Sequence, residues 1–354
     1  MSGVHAVPTR ADLESLPLYV AGRTIPGAIK LASNEVPGGP LPSVAKAIAE
    51  AASGVNRYPD TGAQGLTDRL TAALGFPASQ IAIGCGSVSL CQQLVQAVCA
   101  PGEEVIYGWR SFEAYPIVVQ VAHAQSVPVP LTTEHAYDLD AMLAAITPKT
   151  RMLFVCNPNN PTGTAVRREE LERFLDAVPA NVLVVLDEAY REFVTDTEVP
   201  DGLEYVRSRQ NVAVLRTFSK AYGLAGLRVG YAVAPEHITA ALKKVYVAFS
   251  VNMVAQAAAI ASLDAHDELM ERVAEIVGER DRVRAALLEG GYEVPESQAN
   301  FVWLPLGEQA AAFSAHALDN KLIVRAFAGS GVRVTTSTPE ENDLFLAAAL
   351  SFSR

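Results

Sequence analysis

The sequence predicts an α/β protein: a mostly parallel central sheet sandwiched by helices, followed by a smaller α+β C-terminal domain. Three observations carry this expectation. Short continuous Val, Leu and Ile runs alternate with stretches of helical apolar spacing, that rhythm changes near Val254, and a chain of 354 residues is too long for one ordinary hydrophobic core.

Ile81–Gly84, Glu104–Tyr107, Met152–Cys156, Val182–Leu186, Val212–Leu215 and Val229–Val233 read as strands. Their apolar residues run on without polar alternation, as in strands buried on both faces of a parallel sheet. Between them, Leu90–Cys99, Leu139–Ile146, Glu169–Val178 and Ile238–Val247 space their apolar residues for helices that cover the sheet. From about Val254 a long helical stretch runs to Leu288, after which Asn300–Leu306, Leu322–Ala326 and Val332–Thr336 read as strands flanked by helices. Pro17, Pro26, Pro37, Pro40 and Pro42 keep the start of the chain mostly extended. We therefore expect an arm over residues 1–28 that packs on the small domain or a partner subunit, a large domain over 29–253 and a small one over 254–354. With no repeat and no Ser/Gly-rich linker, the domains are expected to dock tightly.

Apolar residues make up 50% of the chain and charged ones 19%, which suits a sizeable core and not a disordered polymer. A net charge of -11 and a pI near 5.1 disfavour a general nucleic-acid or anionic-membrane surface, since phosphate binding needs a basic face. Met1–Tyr19 has no charged segment leading into an apolar run, and no apolar stretch reaches spanning length; a cytoplasmic protein is the expectation. Cys85, Cys91, Cys99 and Cys156 lack CxxC spacing and the six histidines are scattered, so neither a metal nor a disulfide is expected.

Four motifs carry chemistry. In TFSKAYGLAGLR (217–228), Lys220 is the one of seven lysines placed directly after a buried strand among small residues. Desolvation disfavours its ammonium form and leaves the amine available for imine formation. Thr217, Ser219 and Arg228 can donate to a phosphate, with Gly223 and Gly226 permitting close backbone approach. In LVVLDEAY (183–190), Asp187 ends a buried strand, where functional acids of open α/β sheets lie, although an aspartate there also suits a helix cap. A carboxylate at that point can hold a pyridine nitrogen protonated, and Tyr190 can donate to the ring oxygen. The turn CNPNNPTG (156–163) is made rigid by two prolines and a glycine and presents Asn160 to the same oxygen. GCGSVS (84–89) leads a strand into a helix whose first N–H groups make a phosphate site, without the spacing of a dinucleotide fingerprint or a nucleotide P-loop.

The order of these motifs, with the aromatic stretch Trp109–Tyr115 after the glycine turn, resembles the class I and II aminotransferases of pyridoxal-5′-phosphate (PLP) fold type I. The resemblance covers nearly the whole chain and is closest in character to the branch of histidinol-phosphate and aromatic amino acid aminotransferases. It implies a PLP cofactor carried as an imine by Lys220, which also acts as general acid/base. It implies that Asp187 pairs with the pyridine nitrogen and that Tyr190 and Asn160 bond the phenolic oxygen. The amides of Ser87 and Val88, the hydroxyls of Thr217 and Ser219, and Arg228 would hold the phosphate. Phe112, in preference to Trp109, would stack on the ring. Tyr58 would reach the phosphate of the neighbouring subunit, making a homodimer with shared active sites. Arg333 would fork onto the substrate α-carboxylate, and Tyr19, Asn34 and Arg325 would build the side-chain pocket.

Within that branch, histidinol-phosphate enzymes usually carry an acidic pair after the glycine turn and Asn-Glu-Asn-Pro near the N-terminus. This chain has Val88 and Ser89 at the first place and Asn34-Glu-Val-Pro37 at the second. CGSVSLCQQL, WRSFEAYP and SQANFVWLPL look more like the aromatic branch, and Tyr19, Phe112 and Phe327 offer aromatic surface. The favoured expectation is therefore transfer of the amino group of phenylalanine or tyrosine to 2-oxoglutarate, giving the 2-oxo acid and glutamate. Histidinol-phosphate transamination is the alternative, because Arg325 can bind a phosphate as well as a distal carboxylate. A PLP lyase or decarboxylase on the same fold is a lesser rival, and an effector-sensing regulator would need a helix-turn-helix domain for which the sequence shows no room.

Overall fold

The computed structural model describes residues 7–14, 16 and 24–353. Strand β1 (Ile29–Lys30) leads through helices α1 (Pro42–Ala52) and α2 (Gln64–Leu74) to β2 (Ile81–Gly84), α3 (Gly86–Val98), β3 (Glu104–Trp109), α4 (Ala114–Val121) and β4 (Gln125–Pro130). The chain continues with α5 (Leu139–Ala144), β5 (Thr150–Cys156), α6 (Arg168–Ala177), β6 (Leu183–Asp187), α7 (Leu203–Ser208), β7 (Val212–Thr217), β8 (Gly230–Val233) and α8 (Glu236–Val245). Helices α9 (Met253–Asp264) and α10 (His266–Glu289) precede β9 (Phe301–Gly307), α11 (Ala310–Asp319), β10 (Leu322–Ile323), β11 (Arg325–Phe327), β12 (Ser330–Thr335) and α12 (Pro339–Ser351).

Seven strands form one sheet in the order β2-β8-β7-β6-β5-β3-β4. Only β8 runs against its neighbours. Because β5, β6 and β7 are covered on both faces, the runs Met152–Cys156, Leu183–Leu186 and Val212–Leu215 are apolar and buried, and polar residues stand only at the strand ends. Register then brings three motifs to one edge: Asp187 stands opposite Cys156 on one side and Leu215 on the other. The Asn157–Gly163 turn, Asp187 and the Thr217–Lys220 segment therefore leave the sheet side by side, where ligands of open α/β sheets bind.

A second core lies behind the antiparallel sheet β11-β12-β9, between α10, α11 and α12. Strand β1 joins this part of the molecule, with Ile29 opposite Leu322, and Leu31 is buried in the second core. Helix α10 belongs to both cores, through Ile276 in the first and Val283 in the second. Near the N-terminus, Arg10 donates to the carbonyls of Gln120 and Val121 at the end of α4, at 3.1 and 3.2 Å.

Some element boundaries differ from expectation for visible reasons. The single strand expected over Leu322–Ala326 is two, because β10 pairs with β1 while Arg325 turns to pair with Arg333 of β12. The helical stretch from Val254 breaks at Ala265 into α9 and α10. Strand β4, which the sequence reading omits, contains Pro128 and Pro130; it bonds β3 alone, and prolines are tolerated on such an edge. Helix α4 was hidden by Pro116, which sits in its first turn, where the backbone N–H has no intrahelical partner anyway. Among the described residues no helix is long and apolar enough to cross a membrane.

Candidate active site

The carboxyl ends of β5, β6 and β7, the first turn of α3 and two arginines of the second sheet enclose a cleft of about 560 Å³. Lys220 reaches it from the segment after β7. Its Nζ donates to the carbonyl of Ser33 at 3.0 Å and lies 5.9 Å from the Tyr190 ring centre. Burial, then the Arg333 guanidinium, bring its pKa down to about 7 against the opposing pull of Glu35. Near neutral pH a large share of this amine is unprotonated and nucleophilic.

Asp187 closes β6 and is buried. Its Oδ2 accepts from the Tyr115 hydroxyl at 2.8 Å, and Tyr115 is itself fixed by stacking on Phe154 with ring centres 4.4 Å apart. The other oxygen, Oδ1, is buried with no hydrogen-bond partner; the Ala189 amide favours the charged form without making a bond of ordinary geometry. Burial outweighs both donors and raises the carboxyl pKa to about 6. A buried carboxylate with one unmatched oxygen calls for a donor, best a cationic one.

Tyr190 follows Asp187 past the end of β6, Asn160 follows the end of the neighbouring β5, and both are buried. Asn34, in the left-handed region at φ 56°, donates Nδ2 to the Tyr190 hydroxyl at 2.8 Å, and burial pushes that phenol's pKa up. The phenol therefore keeps its proton and has one direction left in which to donate it. Asn160 Oδ1 accepts from Arg333, which leaves its Nδ2 as the donating atom. Arg333 also donates to the Ala32 carbonyl and packs 5.5 Å from the centre of the Phe301 ring. The guanidinium is thus held on rigid partners within the cleft.

The first turn of α3 forms an anion corner. The helix opens at Gly86, φ +73°, where an added Cβ would stand 2.3 Å from an Arg228 guanidinium nitrogen; only glycine lets the arginine lie against the turn. Arg228 donates to the Ser219 hydroxyl at 3.1 Å, and the Thr217 hydroxyl accepts from the Ser219 amide at 3.1 Å. Helix N–H groups, two hydroxyls and a guanidinium converge on one point, a donor set for a phosphate.

Of the residues expected from sequence, Lys220, Asp187, Tyr190, Asn160, Ser87, Val88, Thr217, Ser219, Arg228, Phe112, Arg333, Asn34 and Arg325 all line this cleft. Within that lining the Asn34 side chain bonds Tyr190 and Thr335. Trp109 is absent from the lining; its ring lies under the Arg110 guanidinium. Tyr58 is 81% exposed and stacks on Phe249, away from the cleft of its own chain. Tyr19 lies outside the described residues. The sequence reading passed over Tyr115, Glu113, Glu35 and Gln92. Tyr115 and Glu113 were within reach, since both fall in the WRSFEAY stretch already singled out. Among the described residues, no group of three or more His, Cys, Asp or Glu is placed to hold a metal ion.

Comparison with known proteins agrees with this geometry. Residues 26–349 match the family described as aminotransferase class I and II. The chain is 62% identical to an aromatic amino acid aminotransferase of Rhodococcus jostii, covering 97% of this chain and 95% of that one. It is 57% identical to a protein of the same name from Streptomyces coelicolor, covering 98% and 97%. Among solved structures, a histidinol-phosphate aminotransferase from Sinorhizobium meliloti in complex with pyridoxal-5′-phosphate is similar with a TM-score of 0.88 and 31% identity, covering 97% of this chain and 96% of that one. With a family match over most of its length and relatives this similar from end to end, the chain belongs to the class I and II aminotransferases.

Proposed function

We propose that the protein is an aromatic amino acid aminotransferase, moving the amino group of phenylalanine or tyrosine to 2-oxoglutarate with pyridoxal 5′-phosphate as cofactor. The observation that carries the reading is the convergence of three groups in one cleft: an amine with a pKa near 7, a buried carboxylate oxygen without a partner, and a fixed guanidinium. The residues fit the cofactor on two further points. The unmatched Asp187 Oδ1 supplies what a pyridinium N–H needs, and the Gly86 turn with Arg228 leaves a cradle that a single Cβ would disturb. When bound, the cofactor supplies an aldehyde that condenses with amines and a ring that withdraws electrons from the substrate Cα–H bond.

The chain's own groups do the rest. Asp187 would hold the ring nitrogen protonated, while Tyr190 O–H and Asn160 Nδ2 would donate to the ring oxygen. Phe112 would pack on the ring, and the amides of Ser87 and Val88, with Thr217, Ser219 and Arg228, would hold the phosphate. Arg333 forks onto the substrate α-carboxylate and so fixes which face of the α-carbon meets Lys220. Lys220, neutral above about pH 7, would accept the substrate α-proton as general base and give it back as general acid. Phe112, Ile117 and Val88 give the cleft apolar surface for an aromatic side chain. Tyr58, exposed beside Phe249, is read as reaching a second copy of the chain in a homodimer.

The names of the Rhodococcus and Streptomyces relatives support the aromatic donor. One observation favours histidinol phosphate instead: Arg325 and Arg333 are direct cross-strand partners, a pair able to hold a dianion. A panel of phenylalanine, tyrosine, tryptophan, leucine and histidinol phosphate with 2-oxoglutarate decides between them. The highest kcat/KM is expected for an aromatic amino acid; a clear preference for the phosphate ester would reverse the choice.

A further inference from the structure

Tyr115, the second residue of α4, stands behind the cleft and not in its lining, and its ring is fully buried. It is fixed from several sides, stacking on Phe154 of β5 with ring centres 4.4 Å apart and meeting Phe112 edge-on at 5.6 Å. A phenol held in this way has little freedom in where its oxygen lies, and its one proton goes to Asp187 Oδ2 at 2.8 Å. With Oδ2 committed, Oδ1 is the oxygen left unmatched. One short segment thus places Phe112 in the cleft wall and Tyr115 behind the carboxylate.

The other titratable groups around Asp187 do little to keep it charged. Cys91 of α3, Cys156 of β5, Tyr137 and Tyr190 face it, and burial pushes each of these thiols and phenols up, so all are neutral near pH 7. Glu188, next in the chain, has the same sign of charge and raises the Asp187 pKa. The cations of the cleft are bonded at other walls, Lys220 to Ser33, Arg228 to Ser219 and Arg333 to Asn160. We infer that Tyr115 is a positioning residue for the cofactor: its hydroxyl keeps Asp187 ionised and leaves Oδ1 for the ring nitrogen, and so sets the acidity down to which the protein holds its cofactor. The inference rests on the reading of Asp187 as the partner of that nitrogen. Without the hydroxyl, Oδ2 would join Oδ1 as a buried oxygen with no bond of ordinary geometry, and the carboxyl would take up a proton at higher pH. That proton must leave before the carboxyl can face a pyridinium. A hydrogen bond to a charged group moves such an equilibrium by about one pH unit.

The probe is pyridoxamine 5′-phosphate, which has the ring and phosphate of the cofactor but no aldehyde, so its binding involves no imine with Lys220. Its dissociation constant from the cofactor-free enzyme is measured by calorimetry at pH 5.5 and 8.5. Tyr115→Phe keeps the ring contacts and removes the donor. Its constant is expected to lie about tenfold above that of the wild type at pH 5.5 and to equal it at pH 8.5, where the carboxyl is ionised in both. Tyr137→Phe removes another buried hydroxyl nearby, one bonded to Ser111 and to the Cys156 amide, and is expected to leave both constants unchanged. In an Asp187→Asn background, Tyr115→Phe is expected to change neither. An unchanged constant for Tyr115→Phe at pH 5.5, a loss of equal size at the two pH values, or the same loss in Tyr137→Phe overturns the inference. If Asp187→Asn alone binds the probe as tightly as the wild type at pH 8.5, it is the reading of Asp187 that fails.

Discussion

Lys220 and Asp187 are pushed the same way by the same cleft: burial drives each toward its neutral form, the amine down to about 7 and the carboxyl up to about 6. For the lysine, the unfolded chain binds the extra proton between about pH 7 and its ordinary 10.5, so stability of the cofactor-free protein rises with pH through that window. Lys220→Met is therefore expected to melt higher than the wild type at pH 6, with the gap closing toward pH 10. The reaction of cofactor-free protein with PLP should accelerate through pH 7 and level off, as stopped-flow absorbance will show. Acceleration that continues to pH 10 would mean an ordinary lysine. Asp187 has the opposite sign: its native pKa is raised, so it imposes no penalty below pH 3.8 and a full one above about 6. Asp187→Asn should raise the melting temperature of cofactor-free protein at pH 8 but not at pH 4, and weaken PLP binding by about 3 kcal/mol through loss of the pyridinium partner. A variant both less stable and equally tight would contradict that role.

At the scale of elements, the site depends on the alignment of β6 with β7. Beside Asp187 and Thr217, Glu188 and Arg216 are both buried and bonded at 2.7 Å, and Arg216 also reaches Asp201 at 2.6 Å. Glu188 in turn accepts from the Gly202 amide at 2.7 Å. The network ties the strand ends one residue after Asp187 and one before Thr217. Removing one partner leaves a buried charge uncompensated, so Glu188→Ala should lower unfolding free energy by about 3 kcal/mol in urea melts of the holoenzyme. At the head of α3, Gly86→Ala should displace Arg228 and raise the PLP dissociation constant at unchanged imine chemistry, because strain at φ +73° and the 2.3 Å approach act together. Much of this level was legible in the sequence. Apolar runs marked β5, β6 and β7, and Lys220, Asp187 and Asn160 could be placed at strand ends from their position alone. What could not be read were contacts set by tertiary register: Tyr115 meets Asp187 across 72 residues of chain and Glu113 meets Arg325 across 212. No local pattern encodes either meeting. Strand β4 and helix α4 were hidden for a different reason, since proline is tolerated at an edge or in a first turn but reads as a break.

The whole molecule joins two cores through α10 and ties its N-terminal strand β1 into the second core, so groups on both sides of the cleft are held by one covalent frame. Val55, Tyr58, Val247 and Phe249 remain exposed in the single chain. An apolar surface of this kind, carrying the tyrosine that the family resemblance sends to a second subunit, leads us to expect a dimer of twice 37.6 kDa in sedimentation equilibrium. Tyr58→Ala should weaken PLP binding in that dimer; an active monomer with wild-type affinity would contradict the shared site. The most direct test of the chemistry is covalent. Borohydride reduction of the PLP-loaded enzyme, followed by proteolysis and mass spectrometry, should leave one pyridoxyl group per chain on the peptide that contains Lys220. A label on any of the other six lysines, or none on fully loaded protein, would contradict the assignment of the cleft.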